Sequence, residues 1–277
     1  MKRVTLPTGE LVPALGMGTW MLGEDHARRA EEIGTLQYGI DLGMGLIDTA
    51  EMYGEGDSEK LVGEAIRGRR ERVFLVSKVY PQNAGRLGTP AACERSLKRL
   101  GVDCLDLYLL HWRGSVPLAE TVEAFEKLKA QGKIRHWGVS NLDLDDLHEL
   151  GALPGGRNVA VNQVLYNLPR RGIEWDLLSW CQAQRVPVMA YSPIEQSRLL
   201  HHRAFGELAA RHGLSPAQLA LAWLLRQELL IAIPKASTRQ HLDENFSALQ
   251  CELSPAILAE LDRLFPPPKR ASPLEML

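Results

Sequence analysis

The 277-residue sequence is marked first by what it lacks. No apolar stretch approaches the roughly 20 residues needed to cross a bilayer; one of the longest runs only from Leu219 to Leu225. Met1-Lys2-Arg3 leads into Thr5, Pro7, Thr8 and Glu10 rather than a continuous apolar run, which argues against a secretory signal. The four cysteines, Cys93, Cys104, Cys181 and Cys251, are widely spaced with no Cys-x-x-Cys. They read as reduced thiols of a cytoplasmic protein. Charge of one sign is missing too: 32 basic and 34 acidic residues are interspersed, for a net charge of −2. That balance advertises neither nucleic acid nor an anionic membrane as a partner.

Several catalytic signatures are also absent. Gly43-Met44-Gly45 precedes a strand and has no third glycine, so it is not a Rossmann fingerprint. No tyrosine is followed by lysine four residues later, which removes the tyrosine-lysine short-chain dehydrogenases, and there is no Walker loop. His-Glu-x-x-His does not occur and His201-His202 lies in a polar loop, so no metal site is expected.

What is present is an alternation. Short apolar runs recur between segments of helical periodicity, the pattern of βα units around a parallel sheet. The expected strands are Leu15-Gly18, Leu46-Asp48, Val73-Lys78, Leu105-Leu110, Ile134-Val139, Val159-Gln163, Val188-Tyr191 and Ile231-Ile233. Helical faces are legible in Ile33, Leu36 and Ile40, in Leu118, Val122, Phe125 and Leu128, and in Leu242, Phe246 and Leu249. Thr89-Pro90, Ser215-Pro216 and Ser254-Pro255 read as N-cap and first-turn pairs, and Gly43, Gly101 and Gly132 as helix ends. A hairpin is expected over Val4 to Leu15, an extra helix over Ser254 to Phe265, and an irregular tail over 266–277. The expected fold is α/β, one (β/α)8 TIM barrel domain spanning residues 1–277, a length at which a barrel forms one domain.

In such barrels chemistry sits at the carboxyl ends of the strands. Strand two ends at Asp48, with Tyr53 in the loop after it; strand three ends at Lys78; strand four runs directly into His111. Each alone has a structural explanation, as a turn cap, a lysine emerging from an apolar strand, a core histidine or a packing aromatic. Four titratable side chains at one end of three consecutive strands instead suggest a reactive site. Hydride reduction of a carbonyl needs a proton for the developing alkoxide, and a phenol with a pKa of about 10 is a poor donor unless a neighbour eases its ionisation. Lys78 is suited to that, Asp48 would hold Lys78 charged, and His111 would polarise the carbonyl oxygen.

At these residues the sequence resembles the aldo-keto reductases, from Gly16-Met17-Gly18-Thr19-Trp20 to about Phe265. Gly45-Leu46-Ile47-Asp48-Thr49-Ala50 with Tyr53, then Ser77-Lys78, then Leu109-Leu110-His111-Trp112 look like that family's tetrad in order and spacing. The resemblance implies Tyr53 as general acid with Asp48, Lys78 and His111 as its partners. It further implies an NADPH site, with NADH weaker, formed by Gly18, Thr19, Trp20 and Asp48 and by Ser140, Asn141 and Gln163 at the nicotinamide carboxamide. Tyr191 would stack on the nicotinamide ring, and Ser192, Pro193 and Ile194 would run under the pyrophosphate. Lys235, Ala236, Ser237, Thr238, His241, Glu244 and Asn245 would hold the 2′-phosphate and adenine.

Two departures stand out. His241 occupies the position where many relatives carry a phosphate-binding arginine, with Arg239 two residues earlier, and Glu195-Gln196 puts an acid beside the expected pyrophosphate. The Asp-Thr-Ala-Glu-Met-Tyr motif and short chain look most like bacterial members that reduce methylglyoxal and other 2-oxoaldehydes. Trp20, Tyr53, Tyr80, His111 and Trp112 are the expected substrate contacts, around a mouth suited to small carbonyls. A monomer or weak oligomer is expected. Two other readings use the same barrel: a Schiff-base aldolase acting through Lys78, and a non-catalytic NADPH-binding regulatory subunit.

Overall fold

In the computed structural model, which describes residues 2–277, eight parallel strands lie in chain order. A two-stranded hairpin, β1 (Arg3–Thr5) and β2 (Leu11–Pro13), comes first. The parallel strands are β3 (Met17–Gly18), β4 (Leu46–Asp48), β5 (Phe74–Val79), β6 (Leu105–Leu110), β7 (Ile134–Ser140), β8 (Asn162–Leu165), β9 (Val188–Tyr191) and β10 (Leu230–Ala232). The sheet closes on itself where Leu15 bridges Ala232 and Gly18 bridges Lys235. Gly18 is glycine for a steric reason: a Cβ there would lie 2.8 Å from the Ile233 carbonyl oxygen across the closing seam.

Helices occupy the connections: α1 (Arg29–Leu42), α2 (Asp57–Ala65), α3 (Gly88–Leu100), α4 (Leu118–Ala130), α5 (Leu144–Ala152), α6 (Leu177–Ala183), α7 (Arg203–Arg211), α8 (Pro216–Leu225), α9 (Arg239–Ser247) and α10 (Pro255–Leu264). Every residue of β5 and β6 is buried, as expected for parallel strands with side chains packed both inside the barrel and against the helices. Ser215 and Ser254 cap α8 and α10 as expected, Ser215 with Gln218 in a reciprocal capping box. Thr89 is not a cap. Its helix begins at Gly88, and its hydroxyl turns back to the Asn83 carbonyl at 3.3 Å.

The strand expected over Val159-Gln163 differs, since β8 runs from Asn162 to Leu165. Residues 160 and 161 already bond to β7, through Ala160 N–H to the Trp137 carbonyl and Val139 N–H to the Val161 carbonyl, but the strand continues past polar Gln163 to Leu165. The hairpin covers the amino-terminal end of the barrel, where Glu10 accepts from Arg135 at 2.8 Å and meets His136 Nε2 at 2.7 Å. Among the described residues no helix is long and apolar enough to cross a membrane. The chemistry-bearing residues lie at the opposite end.

Candidate active site

Parallel register levels the carboxyl ends of the strands: Gly18 pairs with Asp48, Asp48 with Val76, and Lys78 with Leu109. Side chains alternate along a strand, so Ser77 and Lys78 point opposite ways. Ser77 faces outward and donates to Glu59 of α2 at 2.6 Å, which sends Lys78 inward. The Lys78 side chain is fully buried.

An ammonium has three hydrogens to donate. Lys78 Nζ lies 2.7 Å from Asp48 Oδ2, 3.0 Å from the Thr49 carbonyl oxygen and 3.0 Å from the Tyr53 hydroxyl oxygen. All three donors are used, so the Tyr53 oxygen is an acceptor toward Lys78 and its own proton is left to point elsewhere. Burial works against the charge on Lys78, but Asp48 and then Tyr53 outweigh it and the ammonium is held above its ordinary value. For Tyr53 burial raises the pKa, Lys78 draws it down and Asp48 raises it again, with a net rise. Lys78 therefore eases ionisation of this phenol only against a larger effect of burial. Asp48 is steadied from the other side, its Oδ1 accepting from Gln163 Nε2 at 2.8 Å.

His111 packs edge-on to Tyr53 with ring centroids 5.9 Å apart. Burial, reinforced by Lys78, pushes its pKa down to about 2. Among the described residues buried Nδ1 has no hydrogen-bond partner, and the His111 ring lines the open site. An orphaned acceptor is cheaper than an orphaned N–H, so the favoured tautomer carries its proton on Nε2 and offers a neutral donor to the site.

A cavity of about 610 Å³ opens on this rim, lined by Tyr53, His111, Trp20 and Trp112 and also by Lys235, His241 and Asn245. Gly18, Thr19, Asp48, Ser140, Gln163, Ser192, Pro193, Ile194, Ser237 and Glu244 also reach it. Tyr191 donates to Asn141 Oδ1 at 3.0 Å, which fixes two further wall residues against each other. Three expected contacts do not reach it. Tyr80 stands behind Trp112, edge-on at 5.9 Å, because its backbone N–H is drawn to buried Glu51 at 2.9 Å. The Thr238 hydroxyl caps α9 by accepting from His241 N–H, and Ala236 is buried in the core. Arg239 turns away to the Tyr38 ring at 5.4 Å, leaving Lys235 as the lysine on the cavity wall. Arg113, outside the cavity, is bound to Asp146 and to Glu149.

Residues 14–265 match the sequence model of the aldo/keto reductase family. The chain belongs to the aldo/keto reductase family. This reductase is 55% identical to the methylglyoxal reductase YeaE of Escherichia coli strain K12, over 96% of this chain and 95% of that protein. It is 35% identical to a glyoxal reductase of Bacillus subtilis strain 168, over 94% and 92% of the two chains. An aldo/keto reductase of Klebsiella pneumoniae, solved in complex with NADP and acetate, superposes with a TM-score of 0.97 at 52% identity, covering 100% of this chain and 99% of that one.

Sequence reasoning missed several wall residues of this reductase: Met21, Met52, Gln196, Ser197, Met276 and Leu277. Met52 could have been found, since it lies inside the motif that carries Tyr53. Met276 and Leu277 had no signal, because an irregular tail has no periodicity to say where it returns.

A depressed imidazole pKa means that the folded protein refuses a proton the unfolded chain accepts. Stability linked to His111 is therefore fully present above the ordinary imidazole value and falls as pH drops below it. The His111 ring is expected to stay neutral from about pH 8 down to about pH 5. Imidazole ¹⁵N shifts assigned through a His111→Gln variant check this; a titration midpoint near neutrality would contradict it.

Proposed function

We propose that this aldo/keto reductase uses NADPH to reduce small aldehydes and ketones, 2-oxoaldehydes such as methylglyoxal among them, with Tyr53 as general acid. The observation carrying the proposal is the 3.0 Å approach of Lys78 to the oxygen of Tyr53, a residue of the cavity wall; with that oxygen accepting from Lys78, the phenol keeps its own proton for donation.

The wall chemistry fits the cofactor. Near Tyr53, Gln163, Ser140 and Asn141 bring amide and hydroxyl groups suited to a carboxamide, beside the flat Tyr191 ring. The Lys235 cation and the amino-terminal turn of α9 suit a phosphate on the adenosine ribose. Bound NADPH would supply a hydride to the carbonyl carbon. Tyr53 gives its proton to the carbonyl oxygen as that oxygen gains charge, and the His111 Nε2–H stabilises the same oxygen. Lys78 then steadies the phenolate, Asp48 keeps Lys78 charged and aimed, and Tyr53 regains a proton from water at the open mouth. The product is the alcohol. A Schiff-base role for Lys78 is disfavoured, since a nucleophilic amine needs a free lone pair and this nitrogen has three acceptors around it.

Support for the substrate class is the match to methylglyoxal and glyoxal reductases and an apolar wall of Trp20, Met52 and Trp112 around the proton donor. Tyr53→Phe is expected to lower kcat with methylglyoxal by at least about 100-fold. NADPH affinity, followed by its fluorescence, should stay within about threefold, because the lost hydroxyl acts on the proton. Turnover near the parent rate would overturn the assignment. Lys235→Met should weaken NADPH by about 10-fold or more, the worth of a charge-assisted phosphate contact. NADH should be nearly unaffected; equal losses for both nucleotides would show that Lys235 does not read the phosphate.

A further inference from the structure

Glu195 follows the Tyr191-Ser192-Pro193 turn with a side chain only 6% exposed. A buried carboxylate is costly unless paired, and this one is turned away from the cavity into a clamp. Its Oε2 accepts from Asn167 Nδ2 at 2.7 Å and its Oε1 from Arg170 Nε at 3.0 Å. Asn167, wholly buried, also donates to the Ser192 carbonyl at 2.9 Å and accepts from the Arg170 backbone N–H at 3.0 Å.

The clamped loop is strained. Ser192, Glu195, Gln196 and Ser197 all have left-handed φ, between 48° and 70°. Such residues are unfavourable and persist where the surroundings over-determine them. Ser192, Pro193, Ile194, Gln196 and Ser197 of this loop line the cavity.

The same guanidinium has a second carboxylate. Arg170 Nη1 lies 3.0 Å from Glu275 Oε1, 105 residues away in sequence. The next two residues, Met276 and Leu277, line the cavity, as does Tyr191. A planar guanidinium with five fixed donors holds its two acceptors in a defined relation.

We propose that Arg170 is a positioning residue that holds the 275–277 wall of the carbonyl pocket in register with the 192–197 loop of the cofactor site. It thereby sets the choice between small and bulky carbonyls. The selectivity half of this inference rests on the reductase reading; the positional half does not.

Hydrogen exchange of the cofactor-free protein, read by mass spectrometry, tests the positional half. Glu275→Gln should speed exchange in 272–277 by about fivefold or more while 192–200 keeps the parent rate, and Arg170→Met should speed both segments. Kinetics test the selectivity half. In Glu275→Gln, KM for methylglyoxal should rise about threefold or more with kcat within about twofold, and the kcat/KM ratio of 4-nitrobenzaldehyde to methylglyoxal should rise. Adding Arg170→Met to Glu275→Gln should change that ratio no further than Arg170→Met alone. Unchanged tail exchange in Glu275→Gln, an unchanged ratio despite a loosened tail, or additive effects of the two substitutions would each overturn the proposal. Should the parent oxidise NADPH with no carbonyl, the reductase reading and with it the selectivity half fall, and the exchange data alone decide whether Arg170 ties the two segments.

Discussion

A charged lysine buried at the mouth of a barrel is the constraint on which this site depends. Removing an ammonium from water costs several kcal/mol even after relaxation, and Lys78 is tolerable because Asp48, Thr49 and Tyr53 accept all three of its hydrogens. Those acceptors come from the end of β4 and the loop after it, while the lysine comes from β5. The parallel register of β4 and β5 must therefore be in place before the charge can be satisfied. Once satisfied, the arrangement orients a phenol, because the third hydrogen bond determines which way the Tyr53 proton can point.

The two ends of the barrel divide the work. At the amino-terminal end Glu10, Arg135, Asp106 and Arg70 form a chain of ion pairs that ties the hairpin and neighbouring strands together. At the carboxyl end, ionic groups are spent on position: Lys78 aims Tyr53, Glu51 draws the Tyr80 loop behind Trp112, and Glu195 is folded into a clamp. The acid that the sequence set beside the expected pyrophosphate is thus a structural group facing Asn167 and Arg170. The arginine near the expected phosphate, Arg239, is occupied with Tyr38.

Much of this was legible in the sequence, for identifiable reasons. Asp48, Lys78 and His111 stood out because each ends a run of buried apolar residues, where a charge needs an explanation, and strand order fixed them on one rim. The barrel itself followed from eight short apolar runs in alternation with amphipathic helices. What resisted reading depends on contacts between residues far apart in the chain. Tyr80 is a strand-end aromatic like Trp112, and only the pull of Glu51 on its backbone places it behind the wall. Thr89 precedes proline as a cap should, yet its hydroxyl finds the Asn83 carbonyl instead. The tail carries no periodicity, and its contacts, the Glu275 pair with Arg170 and the packing of Leu274 against the core among them, join residues far apart in the chain.

The central claim is that the Lys78 charge acts directly on the Tyr53 phenol. Titration of Tyr53 in the cofactor-free protein, followed by ¹³C NMR of the labelled tyrosine ring carbon bearing the hydroxyl, measures that action. Replacing Lys78 with methionine should move the Tyr53 midpoint to higher pH, because the one neighbour favouring the phenolate is gone. A midpoint that stays in place or moves down would mean that the ammonium and the phenol are not coupled, and the account of proton delivery would not stand.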